Sequence, residues 1–315
     1  MSFKSRALVV LAAPESAYGV DPTPTAIANA IEILSPTLQP YNADEIPRDR
    51  SRPAAGFDPV LLAGKNVVLS GQIELSGSGT SGASIAAPAY GPILRACGLA
   101  ETIVTTVGQE RVEYAPVSAE EESVTAYIYR AGALHRMTGA RGTWGLTLTE
   151  RQLPVFTFSL TGLFETITAA PLPTNADWSA FVPAVEMSEA NTQFTLGGFP
   201  AVMESLSFSA NNTVILRDRA NSREIQITDR GPTGQLAIQA PDPATQDYWA
   251  TIDGETLVAL QAVHGTTPGS RVQIDAPAVQ LHQPSYSDSQ GTVMLSANLR
   301  FNRQAGDDEI LITVS

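Results

Sequence analysis

Apolar side chains recur at every second position through most of this chain, the period of a half-buried β-strand. Val67, Leu69, Gly71, Ile73 and Leu75 alternate with mostly polar neighbours. Trp144, Leu146 and Leu148 do the same, as do Phe156, Phe158 and Leu160, Leu206 and Phe208, and Ile225 and Ile227. Val293, Leu295, Ala297, Leu299 and Phe301 form the longest such run, and Ile310, Ile312 and Val314 close the chain. Alternation of this kind predicts antiparallel sheets with one face on a core and the other on solvent or a neighbour. Helix signals are few. Thr25–Ile33 predicts a short helix, and Pro88–Ala96 a second, opened by prolines and stopped by Gly98. A third is predicted from Pro243 to Ile252, with Asp242 as its cap.

Residues 35–65 follow neither period and hold five prolines with Arg48, Asp49, Arg50 and Arg52, which predicts a long extended arm. The rest shows a faint duplication. A strand region (Val67–Leu75), a helix (Pro88–Ala96) and a long hairpin (Gly142–Phe164) are followed later by Ile225–Ile238, Pro243–Ile252 and Arg271–Phe301. The Pro- and Ala-rich stretch Ala169–Asn191 reads as the linker. The expected organisation is a first domain over 1–170, a linker over 171–191 and a second domain over 192–315. Each is read as a β-sandwich or barrel with a short flanking helix, which makes the fold mainly β.

Composition narrows the function. With 19 basic and 32 acidic residues the net charge is −13, and the first 170 residues carry 12 and 16 against 7 and 16 in the remainder. So acidic a chain repels nucleic acid on average, and tight phosphate binding is excluded as a first reading. The single cysteine, Cys97, rules out an intrachain disulfide and any multi-cysteine metal site. No apolar run reaches the ~20 residues of a membrane helix. Lys4 and Arg6 before Ala7–Ala13 imitate a signal peptide, but the run is short and lacks a small-x-small cleavage site. It is read as a first strand, with retention in the cytoplasm as the expectation.

The chemical motifs are decoys. Gly77, Gly79 and Gly82 spell G-x-G-x-x-G, which in a dinucleotide site follows a buried parallel strand and opens a helix. Here the preceding strand alternates, and Pro88 and Pro92 follow, so the glycines are read as a turn permitting positive φ and close packing. His135, His264 and His282 are far apart and have no i+2 or i+4 partner, so no metal set forms. Tyr114, Tyr127 and Tyr129 lack the basic neighbours of a nucleic-acid face. No nucleophile elbow occurs. No catalytic residue, cofactor or metal is assigned.

One resemblance covers nearly the whole chain. The block Gly71–Gly98, running through Gly77-Ser78-Gly79-Thr80 to Leu94-Arg95-Ala96-Cys97-Gly98, resembles the major tail proteins of bacteriophages with long non-contractile tails. The stretches Glu15–Thr25, Thr138–Trp144, Pro154–Gly162, Thr228–Pro232, Asp275–Pro277 and Tyr286–Asp288 follow in the same order. The resemblance implies a tail-tube subunit of the virion, assembled in the host cytoplasm without a membrane. In such a subunit sheets of neighbouring chains join into a lumen wall, and rings stack through long loops. Arg48, Asp49, Arg50 and Arg52 of the arm would then make inter-ring contacts, and the excess acid would keep passing DNA from sticking; the acids that line the lumen are not assignable from sequence. Implied partners are further copies of the chain, a tape-measure protein, and tail-terminator or tail-tip proteins. The length of the chain, enough for two tube domains, implies a ring of three with pseudo-sixfold symmetry. A ring of six with an external second domain is the alternative, and a β-rich spike or decoration protein is the competing function.

Overall fold

The computed structural model describes residues 4, 6–48, 50–53 and 56–315. Its first part holds β1 (Leu8–Pro14), α1 (Ala26–Asn29), β2 (Ala30–Ile31), β3 (Leu34–Ile46) and β4 (Leu61–Glu74). Then follow α2 (Gly91–Ala96), β5 (Leu99–Val104), β6 (Arg111–Pro116), β7 (Val124–Arg130), β8 (Ala133–Thr149), β9 (Val155–Phe164) and β10 (Thr168–Ala169). The second part holds β11 (Thr192–Leu196), β12 (Met203–Ser209), β13 (Thr213–Arg219), β14 (Ser222–Asp229) and β15 (Thr233–Gln239). It ends with α3 (Tyr248–Asp253), β16 (Val258–His264), β17 (Val272–Ser289), β18 (Thr292–Phe301) and β19 (Leu311–Val314). The fold is mainly β and antiparallel, as the period of two requires.

Six strands in each part pair in the same order. In the first the order is β3-β4-β9-β8-β7-β1, and in the second β12-β15-β18-β17-β16-β11. Each set carries one short helix in the same connection, α2 between β4 and β7 and α3 between β15 and β16. The long strands β8 and β17 bend where they exchange partners, β8 between β7 and β9 over residues 137–141 and β17 between β16 and β18 at Val279. Gly139 takes φ 56° at the first bend, a conformation that costs a residue with a Cβ more than it costs glycine. Each set is thus a two-layer sandwich whose halves share one continuous strand.

The sets are joined edge to edge. Residues 145–149 of β8 pair with β12, Leu146 opposite Phe208 and Leu148 opposite Leu206. One sheet therefore runs unbroken through β3-β4-β9-β8-β12-β15-β18-β17, with four strands from each set. A second link lies in the other layer, where β19 pairs with β17 on one side and with β6 of the first part on the other.

Local expectations fared unevenly. The first helix is only Ala26–Asn29 and gives way to β2. The third begins at Tyr248 and is capped by the Asp247 carboxylate, which accepts from the Ala250 N–H; Asp242 instead closes the preceding turn. Most of residues 35–65 is strand, with irregular backbone confined between Ile46 and Leu61. Pro36 and Pro40 hid this, because each falls at a register shift of an edge strand, where a missing N–H is tolerated. Ile225 and Ile227 belong to the separate β13–β14 hairpin, not to the strand leading to Ile238.

Candidate functional site

The broad feature of the molecule is the second face of the eight-stranded sheet. One face is core: Leu69, Ile73, Trp144, Leu146, Phe156, Phe158, Leu206, Phe208, Leu236 and Leu299 are all buried. An aromatic chain runs through it across the junction, Tyr90–Phe156–Trp144–Phe208–Phe301, with centroid separations of 5.5, 6.0, 5.6 and 5.1 Å. Such pairs add about 0.5–1.5 kcal/mol each beyond their burial, so the junction between the sets is core and not a loose contact.

Directly opposed residues of an antiparallel ladder point to the same face, so the register defines the other face row by row. One row reads Gln72, Thr157, Gly145, Ser209, Thr233, Arg300 and Gln280. The next reads Glu74, Val155, Thr147, Ser207, Gln235, Asn298 and His282. Thr37, Ser70, Ser159 and Thr143 form another. Hydroxyls meet across it, Ser70 with Ser159 at 3.2 Å and Ser287 with Ser296 at 3.2 Å, and Asn298 donates to Gln283 at 2.7 Å. The face is polar and mostly uncharged, with Arg300 the one cation in these rows. Its one carboxylate, Glu74, stands at the border and accepts from the Ala184 N–H. The acidic residues lie elsewhere, for example Asp242, Asp247, Asp253 and Glu255 around α3.

Both ends of this sheet are open. Among the described residues β3 pairs with β4 alone, and beyond Val279 the edge of β17 facing away from β18 has no strand partner. The end of β17 is the counterpart of the part of β8 that receives β12, and β3 is the counterpart of β12. The chain therefore ends in the two halves of the junction it makes internally. The Gln290–Gly291 turn, with φ of 52° and 85°, makes Ser289 and Thr292 the closing pair of a two-residue hairpin. By alternation, Asp288 and Tyr286 then turn their N–H groups to the open edge.

The residues singled out in the sequence are not brought together. Gly77, Gly79 and Gly82 lie in a loop after β4, and α2 starts only at Gly91. A Cβ on Gly77 would stand 2.1 Å from the Gly269 carbonyl oxygen, and the Gly79 N–H donates to that oxygen at 2.9 Å. The turn is packed against the second part and cradles nothing. His264 is buried, its Nε2 donating to the Val185 carbonyl and its Nδ1 accepting from Thr192, and burial pulls its pKa down. His135 is on β8 and His282 on the polar face; among the described residues no cluster could hold a metal ion. Cys97 is buried and its thiol is pushed up by burial. Arg48, Arg50 and Arg52 lie exposed in the irregular tip of the arm, Arg52 3.4 Å from Asp58; Asp49 lies outside the described residues. Sequence reasoning missed the polar face. Its signal was present as Ser, Thr, Gln and Asn at the alternate positions of eight strands.

The site is thus a sheet with one buried face, one polar face and two open edges, and no catalytic constellation is gathered on it among the described residues. The chain belongs to the phage tail tube protein family, whose model matches residues 5–302. It is a tail tube component of the virion. No curated protein matches it.

Proposed function

We propose that three copies close into a ring by repeating between chains the junction that β8 and β12 make within one. The first half of β3 pairs with Ser285–Ser289 of the next copy, and each six-strand set acts as one tube domain. Pro36 and Pro40 keep that ladder short, like the five residue pairs of the internal one. Three chains of eight strands give a 24-stranded barrel. At about 4.8 Å between strands and a tilt of about 40°, its backbone is about 50 Å across. Lining side chains of about 5 Å on each side then leave a bore of about 40 Å, room for a DNA duplex with hydration. Six chains would double the barrel. The single observation carrying this reading is the internal junction, whose two unpaired halves end the sheet.

The neutral polar face becomes the lumen wall. Hydroxyl and amide groups hold water and exchange hydrogen bonds readily, and with Arg300 the one cation in the rows traced across it the wall offers little counterion release to bind phosphate. The genome slides along a hydrated wall, while the acid excess lies off the lumen-facing rows. Rings stacked head to tail make an open filament, the geometry of a tube. The tape-measure protein occupies the bore during assembly in the host cytoplasm, and terminator and tip proteins cap the ends. Negative-stain images of assembled protein viewed down the axis test the ring: three-fold density with six similar lobes is expected, and six-fold density from six chains overturns it.

A further inference from the structure

The connection between β12 and β15 carries the β13–β14 hairpin, and the connection between the counterpart strands β3 and β4 carries the arm. Both leave the same corner of the same six-strand unit. The first is clamped. Asn212 Nδ2 donates to the Cys97 and Gly142 carbonyls at 2.7 and 3.0 Å, and Arg141 Nη1 donates to the Ile225 carbonyl at 3.0 Å. Arg223 donates to the Lys65 carbonyl, and the Tyr18 hydroxyl accepts from the Ile225 N–H. Ile225 is fully buried, and Leu216 lies against Gly64. The hairpin of the second set thus grips the first set, the one whose β8 its β12 joins.

Between Ile46 and Leu61 the arm, among its described residues, leaves large apolar side chains exposed. Ile46, Phe57, Val60, Leu61 and Leu62 are exposed together, with Phe57 wholly in solvent. So many large apolar side chains on one hairpin mark a contact surface. Charge leans the same way: between Ile46 and Leu61 the arm carries Arg48, Arg50 and Arg52 against Asp49 and Asp58, and the residues after 170 hold 7 basic against 16 acidic groups.

We propose that the arm of one chain clamps over the second set of the neighbour whose β17 edge its β3 joins. This rests on the ring reading and adds the segment that locks it: each chain carries one internal clamp and offers one to the next copy. A within-ring clamp and the inter-ring contact expected from sequence make different predictions. Ile46 and Leu61 are paired, so residues 47–60 can be replaced by Asn-Gly to close the hairpin with a two-residue turn. The shortened protein is expected to unfold at a temperature close to the parent's but to sediment as monomer, with no rings. In the full-length chain, Phe57→p-benzoylphenylalanine is expected to photo-crosslink to residues 192–315 of another chain, read by mass spectrometry of mixed light and heavy subunits. That crosslink is expected in rings isolated before stacking. Three-chain rings that form but do not stack, crosslinks found only in stacked tubes, or crosslinks to the first set overturn the clamp. Should the shortened variant fail to fold, the crosslink decides. Absence of any ring from the parent protein would instead remove the ring reading itself.

Discussion

Single positions carry more of this fold than their chemistry suggests. Gly77 has room for hydrogen only, because backbone of the second set stands where a Cβ would be. Gly77→Ala is expected to cost about 1–3 kcal/mol, as overpacking does, lowering the melting temperature by several degrees in calorimetry. His264 supplies a pH dependence. Burial lowers its folded pKa below 6.5, so the unfolded chain takes up the proton first and stability falls as pH drops below that value. Asp307 acts lower on the scale. Hydrogen bonds from Ser118 foremost, then Arg230, depress its pKa, so its contribution is present above the usual carboxylate range and lost as pH falls through the depressed value. Urea midpoints taken at pH 7.5 and 5.5 are expected to converge in His264→Gln and to separate in the parent.

Among elements, the open edge of β17 is where the proposed ring is tested. Tyr286→Pro removes an N–H that faces the edge while leaving the β17–β18 ladder intact. The Tyr286 side chain is exposed, lies against the Trp249 ring and accepts a hydrogen bond from its indole N–H at 3.1 Å. The variant is expected to melt close to the parent and yet form no rings in sedimentation velocity. Alternation made most of these strands legible beforehand: Val67–Leu75, Trp144–Leu148 and Val293–Phe301 are where a period of two places them. Alternation also shows which side of a strand is dry. It does not show which strand lies beside which, and the polar face exists only once the register stacks Ser70 on Ser159 and Thr147 on Ser207. β3 was missed for a local reason, its prolines being tolerated only because one side of the strand is bare. The helix at Asp242 failed because an aspartate before a proline closes a turn as readily as it caps a helix.

For the whole molecule, the proposed lumen role makes the low charge of the polar face the variable to change. Ser207→Lys with Ser159→Lys would put two cations per chain on the lumen face without touching the core. Tubes are expected to form normally, but DNA release from such particles should slow several-fold at low salt and recover as salt is raised, because bound phosphate is displaced by counterions. Unchanged release at low salt would place that face away from DNA. The position of the two edges in the chain also sets a clock. β3 begins at Leu34 and its complement in β17 ends at Ser289, and synthesis proceeds at about 5–20 residues per second. A growing chain therefore shows one edge for about 10–50 s before the other emerges. On the ring reading, the β17 edge cannot receive a neighbour's β3 until that interval has passed. On that reading ring closure waits for β17 and β18, and the β3 edge stands bare through most of synthesis.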